Sequence, residues 1–340
     1  MKNRNVSLSL CMIVKNEAKN LPRCLKSVAD FVDEMIVVDT GSQDDTVEIA
    51  KQFGATVHHF EWRDDFSAAK NAALSRANSQ WILVLDADEE WLADTPDQSG
   101  SALRQLLEKT DADALRLKVR NRMPADELAQ FQEFYLTRLF RNRPEFRYEG
   151  RIHEQIHPAI SRAGGKIVTA DFVNLHHGYA QKTVQSGEKR AERNLRLLHA
   201  ALAETPENPY LIYHLGATYQ DMGDAQKAHT TLKRAVKLDR GILSDSIREK
   251  LFLKLAQIAF AGNDNPAAQG YALECLGVNP QNLTAQYIAS LSLVFEKQFG
   301  EALEGFQKIR KHPNLNKQEI PQIEQVIQYC ASVSRHVLET

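Results

Sequence analysis

The period of the apolar residues changes once along this chain, near Thr183, and that change constrains the fold more than any other feature. Beyond it only helical periodicity remains. Between Asn208 and Asp239, Leu215-Gly216, Tyr219, Gly223, Ala228, Leu232 and Ala235 sit at the offsets of a helix–turn–helix repeat of about 34 residues. Gly216 and Ala228 are small enough to let two helices approach closely, and Tyr219 and Leu232 fill the space beside them. Ala256, Ala259, Ala268, Ala272, Cys275 and Pro280 repeat the pattern after a longer connection around Gly241–Ser246. Leu293, Ala302, Phe306 and Ile309 give a third copy. Ala191–Pro206 fits the second helix of a preceding unit, and Ile320–Leu338 can cap the stack. Stacked helix pairs bury a shared core and expose a concave groove, which suits binding or assembly better than catalysis.

The first half alternates instead. Ser7–Val14, Glu34–Val38, Thr56–His59 and Trp81–Leu85 read as strands, and the stretches between them read as helices. Asn20 precedes a helix with Pro22 near its start and Leu21, Leu25 and Val28 turned inward. Ser42 and Asp45 have capping-box spacing before a helix Thr46–Phe53 that stops at Gly54, and Phe66–Ala77 reads as a third helix. Strands alternating with helices predict a mostly parallel sheet covered on both faces. Three of the strands run into acids: Glu17, Asp39 and the pair Asp86/Asp88. Ligand sites in open parallel sheets lie outside the carboxyl ends of the strands. In extended backbone alternate side chains share a face, so Asp86 and Asp88 can point the same way. Paired carboxylates there are the hard oxygen ligands that Mg2+ or Mn2+ on a diphosphate requires.

Composition narrows the class. At 340 residues two domains are expected, residues 1–182 and 183–340. Lys and Arg total 42 against 44 Asp and Glu, so no basic field points to nucleic acid. The four cysteines lack CxxC spacing and Cys11 lies in an apolar run, which suits a reduced, cytoplasmic setting. No apolar run approaches the roughly 18 residues of a membrane helix. The opening apolar run is broken by Ser7 and Ser9, so it reads as a strand and not a signal peptide.

LCMIVKNEAKNLPRCLKSV, EMIVVDTGSQDDTVEIA, FSAAKNAAL and WILVLDADEEW, in that order, closely resemble family 2 glycosyltransferases of GT-A type. The resemblance is strong from Ser7 to Trp91 and looser to Tyr179. The second half resembles tetratricopeptide repeats. The combination is similar to a bacterial subgroup that includes the peptide S-glycosyltransferases of glycosylated bacteriocins.

The resemblance implies a Rossmann-like domain and a role for each matching residue. The backbone from Met12 to Val14 would meet a nucleotide base, with Glu17 near its ribose and Asp39 accepting from uracil. Lys70 stands where the family often has Arg, keeping the charge near a diphosphate but losing bidentate geometry. Asp86 would lie by the ribose and metal, and Asp88 would ligate the metal, Mg2+ or Mn2+, completed by a late histidine, His177 in preference to His176. Glu154 in GRIHEQIHP would be the catalytic base, with a structural ion pair to Arg151 or Arg138 as its other reading. The implied reaction moves a sugar from a UDP-sugar, with inversion, to a peptide, protein or glycan acceptor. The repeats would bind the acceptor or form a homodimer. Arginines 116, 120, 122, 138, 141, 143, 147 and 151, interleaved with Phe131, Phe134, Tyr135, Phe140 and Phe146, suit an acceptor surface or plain surface charge. Two other readings stay open: a sugar nucleotidyltransferase, although KNEAKN lacks the glycines of such loops, and a non-enzymatic repeat adaptor with a vestigial first domain.

Overall fold

The computed structural model describes residues 6–93, 95–122, 131–177 and 184–338. Residues 6–122 and 132–177 gather into one compact unit and residues 184–338 into another.

The first unit is built on an eight-stranded mixed sheet in the order β3-β2-β1-β4-β7-β6-β8-β5. Strands β1 (Leu8–Val14), β2 (Glu34–Asp39), β3 (Thr56–His59) and β4 (Trp81–Val84) are parallel and are joined through helices α1 (Leu21–Val28), α2 (Thr46–Gln52) and α3 (Phe66–Leu74). Their apolar runs are continuous because both faces are covered. Leu8, Leu10 and Met12 enter one core with Val37, Trp81 and Leu83. Cys11 enters the other with Ile36, Val38, Ile82 and Val84.

The rest of the sheet is not parallel throughout, which the strand–helix alternation did not predict. The later elements are β5 (Glu89–Leu92), α4 (Gly100–Lys109), β6 (Ala114–Arg122), β7 (Phe131–Arg141), α5 (His157–Arg162) and β8 (Ile167–His176). β7 runs antiparallel to β4, β6 runs parallel to β8, and β5 closes the row antiparallel to β8. Several elements are shorter than their patterns: α2 ends at Gln52, α3 at Leu74 and β4 at Val84. Asn20 does not cap α1 with its side chain; its amide donates to the Glu17 carboxylate at 2.9 Å.

The second unit runs α6 (Val184–Glu204), α7 (Pro209–Asp221), α8 (Ala225–Leu238), α9 (Asp245–Ala261), α10 (Asn265–Val278), α11 (Leu283–Phe295), α12 (Phe299–Arg310) and α13 (Ile320–Leu338). The repeat positions form its core: Ala228, Leu232 and Ala235, then Ala268, Ala272 and Cys275, then Ala302, Phe306 and Ile309 are all sealed from solvent. Gly216 is small by necessity, since a Cβ there would lie 2.7 Å from Leu232. Side-chain caps from Asn208, Asp224, Asp264 and Asn282 satisfy the open amides at the starts of α7, α8, α10 and α11. All four cysteines are free and buried. Among the described residues no helix is long and apolar enough to cross a membrane.

Candidate active site

The carboxyl ends of β1 and β2 are tied to each other by side chains. Asn16, in the left-handed region at φ 56°, donates its backbone N–H to Ser42 Oγ at 2.9 Å and accepts from the Gln43 N–H at 2.7 Å. Asparagine is among the few residues that adopt this conformation readily. Glu17 N–H donates to Thr46 Oγ1 at 2.8 Å and Ala18 N–H to Asp44 at 3.2 Å. Glu17 is thereby held facing the acids after β4. Burial raises its pKa, the Asn20 amide opposes the rise, and the charges of Asp88, Asp44 and Asp86 add to it.

Val14 and Asp39 are register partners on β1 and β2. The ladder to β4 reaches Cys11, while β1 runs on to Val14. The Val14 carbonyl accepts from both the N–H and the hydroxyl of Thr40 at 3.0 Å. Asp39 is 2% exposed, and its carboxylate takes the N–H groups of Gly41 and Ser42 at 3.1 Å, with His59 Nδ1 at 3.4 Å. It therefore organises its own loop as well as lying at the sheet edge.

Of the acids after β4, Asp86 and Glu89 share one guanidinium. Arg138 Nη2, from β7, donates to Asp86 Oδ2 at 2.7 Å and to Glu89 Oε1 at 2.5 Å. Lys70 Nζ, from α3, lies 3.6 Å from Asp86 Oδ1 and 2.7 Å from Glu154 Oε1. Burial alone would raise the Asp86 pKa; the Arg138 guanidinium and Lys70 ammonium outweigh it and hold the carboxyl well below its usual range. Burial likewise opposes the Lys70 charge, and Asp86 and Glu154 reverse the effect, so the ammonium is kept. For Glu89 burial dominates and its pKa is raised despite Arg138.

Glu154 is brought to Lys70 by contacts between α3 and residues 148–151. Asn71 exchanges hydrogen bonds with the Tyr148 backbone at 2.8 and 2.9 Å, and Phe66 N–H donates to the Arg151 carbonyl at 2.9 Å. Gly150 and His153 both have positive φ, so the chain turns sharply just before Glu154. Lys70 also sits 5.1 Å above the Tyr148 ring, whose hydroxyl burial pushes up to about 12. The ion pair of Glu154 is thus with Lys70, and Arg138 belongs to Asp86 and Glu89.

The histidine beside Asp88 is His176, where the sequence reading preferred His177. His176 Nε2 lies 3.1 Å from Asp88 Oδ2, while His177 Nε2 lies 2.8 Å from Glu90 Oε2. Strand alternation explains the difference. His176 is the register partner of Glu89 on β5 and of Asn121 on β6, so it shares their face. His177, one residue on, falls on the side of Glu90. Burial would lower the His176 pKa, but the hydrogen bond and charge of Asp88 raise it overall.

Two participants, Glu89 and Asn121, escape the sequence reading, and a third, Arg138, is expected there only as a partner of Glu154. Glu89 stood in the quoted motif but passed as a neighbour of the acids. Arg138 was one of eight arginines, and only its burial, at 6% exposed, separates it from the others. Asn121 carried no signal at all, since its value lies in a partner 55 residues away. Four of the remaining seven arginines are structural: Arg120 pairs with Glu133, Arg143 with Asp113, Arg141 donates to the Ala112 and Thr110 carbonyls, and Arg147 to those of Arg143 and Phe146.

The donor chemistry suits a divalent cation on the Asp88–His176 side. Among the described residues no three metal-ligating side chains converge, and Asp86 is already neutralised by two cations. Asp88 and His176 supply one hard oxygen and one imidazole. Mg2+ is characteristically held by one or two carboxylates plus water and substrate phosphates, which suits Asp88, while the imidazole of His176 is a ligand of softer divalent ions.

An α/β sheet edge lined with acids and flanked by buried cations, on a chain that continues into a helical stack, matches two family models. Residues 9–149 match glycosyl transferase family 2, and residues 187–251 match the tetratricopeptide repeat. The first match falls on the α/β sheet unit and the second on the helical stack. It is similar to a TPR repeat-containing protein of Synechococcus elongatus, 39% identical over 77% of this chain and 64% of that one. It is also similar to the glycosyltransferase SunS of Bacillus subtilis, 28% identical over 69% of this chain and 54% of that one. A Rickettsia felis glycosyltransferase is 44% identical over 27% of this chain and 32% of its own length. The chain spans less than two thirds of the length of each of these relatives.

Proposed function

We propose that the chain, in the cytoplasm, transfers a sugar with inversion from a UDP-sugar to a peptide, protein or glycan acceptor. The observation that carries this is the meeting of Glu17, Lys70, Asp86, Asp88, Arg138 and Glu154 around the carboxyl edge of the sheet. Likeness to glycosyltransferases supports it from a second side. The base end of the nucleotide would lie along Met12–Val14 and the Asp39 loop, with Glu17 toward the ribose. Lys70 and Arg138 keep positive charge fixed by the acids of the donor side.

Asp88 and His176 would hold the Mg2+ or Mn2+ ion. When bound, that ion supplies Lewis-acid stabilisation of charge on the departing diphosphate. Glu154 takes the proton from the acceptor oxygen or sulfur as that atom bonds to the anomeric carbon and the bond from that carbon to the diphosphate oxygen breaks, releasing UDP. Lys70, bound to Glu154 and close to Asp86, keeps the base aligned with the donor side. The domains assigned to residues 1–182 and 183–340 would divide the work, with the repeats presenting the acceptor or pairing two copies.

The test is incubation with a panel of UDP-sugars and Mn2+, read by UDP release, followed by mass shift on candidate peptides and glycans. UDP release that stops in Asp88→Asn is expected. No release and no thermal shift with UDP and Mn2+ would favour the adaptor reading. Diphosphate released from a nucleoside triphosphate and a sugar phosphate would favour the nucleotidyltransferase.

A further inference from the structure

We infer that Asn121 is a positioning residue: it fixes His176 in the tautomer whose Nε2 lone pair faces Asp88, and so prepares that pair for a divalent ion. This rests on the reading of Asp88 and His176 as the metal side of the donor site.

The two ends of the Asn121 amide have different partners. Its Oδ1 lies 2.7 Å from His176 Nδ1, and its Nδ2 donates to Gln132 Oε1 at 3.3 Å. A carbonyl oxygen only accepts, so Nδ1 must carry the hydrogen. In the neutral ring Nε2 is then a bare acceptor, and it faces Asp88 Oδ2 at 3.1 Å. In the metal-free protein a proton on Nε2 closes that contact, as the hydrogen bond to Asp88 records. Once that proton is lost, with Nδ1–H held by Asn121, the Nε2 lone pair and the Asp88 carboxylate face the same space and suit a divalent ion. Were the ring held the other way, Nε2–H would simply donate to Asp88 and the pair would be closed to a metal.

The position of Asn121 has no packing reason to be polar. It is 3% exposed, and its β6 neighbours of the same alternation, Leu117 and Val119, are core residues. A buried amide costs free energy unless both ends are bonded. Here one end is anchored by Gln132 on β7 and the other by the ring. Register makes the contact unavoidable, because Asn121 and His176 are directly paired across β6 and β8. The chain Gln132–Asn121–His176–Asp88 thus crosses three strands to reach the loop after β4. Hydrogen bonds of this kind to the far nitrogen of a ligating histidine set ring orientation and metal affinity.

The experiment uses the full chain without donor, with Mn2+ alone as probe. Imidazole 15N shifts at a pH where the ring is neutral, assigned by the His176→Ala spectrum, report the tautomer. Titration calorimetry reports Mn2+ affinity. The wild type should show Nδ1–H; Asn121→Leu should scramble the tautomers and weaken Mn2+ by about 10–100-fold. Asn121→Asp, which keeps an acceptor in place, should restore both. An Nε2–H tautomer in the wild type overturns the inference without any variant, so a failure of Asn121→Leu to fold does not protect it. Unchanged Mn2+ affinity in Asn121→Leu while His176→Ala is weakened also overturns it, and leaves the metal reading standing. Unchanged affinity in His176→Ala removes the metal reading itself, and the inference falls with it.

Discussion

The two units bury different things. In the first, Asp39, Lys70, Glu89 and Arg138 are buried charges, and Asn121 and Asn174 are buried amides. Among the described residues of the second, the buried polar side chains are Thr218, Ser290 and Ser292, none of them charged. Thr218 and Ser290 return their hydroxyls to the carbonyl four residues earlier in the same helix. Everything else sealed there is small or apolar, and burial lowers the pKa values of the half-buried Lys250 and Lys254. Burying a charge is costly unless it is paired, and even a well-paired buried ion pair is weak support for stability. A stable fold of this size could be made as the second unit is made. The charges concentrated at one sheet edge of the first unit are therefore best understood as serving ligand chemistry.

That contrast can be broken by substitution. Glu154→Gln should lower sugar transfer by about 10²–10⁴-fold while leaving UDP-sugar affinity unchanged, measured by turnover and calorimetry. If donor binding is lost instead, Glu154 is a structural partner of Lys70. Phe306→Ala, in the sealed core of the second unit, should cost about 3–5 kcal/mol, seen as a lowered transition in calorimetry. UDP release should persist below that transition; its loss would mean that the chemistry depends on the stack. Asp88→Asn should weaken Mn2+ by more than the roughly 10–100-fold that loss of an outer-shell partner costs, with the melting temperature unchanged, and undiminished binding would take Asp88 out of the site. Gly216→Ala should cost about 1–3 kcal/mol by forcing Leu232 aside, read from the same calorimetric transition. A neutral result there would show that α7 and α8 can part without penalty.

Much of this was legible in the sequence because it is local. The strands ending at Val14, Asp39 and Val84 declare themselves by continuous apolar runs and terminal acids, and the repeats by spaced alanines and glycines. What was hidden depends on strands far apart in sequence. Nothing near Arg138 shows that β7 will lie beside β4 and deliver a guanidinium to Asp86 and Glu89. The choice between His176 and His177 depends on strand register, and a shift of one residue reverses the face. The antiparallel strands were missed for the same reason: nothing within Glu89–Leu92 or Phe131–Arg141 shows which distant strand it will pair with.

The most direct measurement is hydrogen exchange of the full chain with and without UDP and Mn2+. The account predicts slowed exchange at residues 15–18, 40–46 and 86–90, the three loops that follow β1, β2 and β4, with the helices α7–α12 unchanged. No protection at those loops, or protection confined to the helical stack, would contradict a nucleotide site at the acid-lined edge of the sheet.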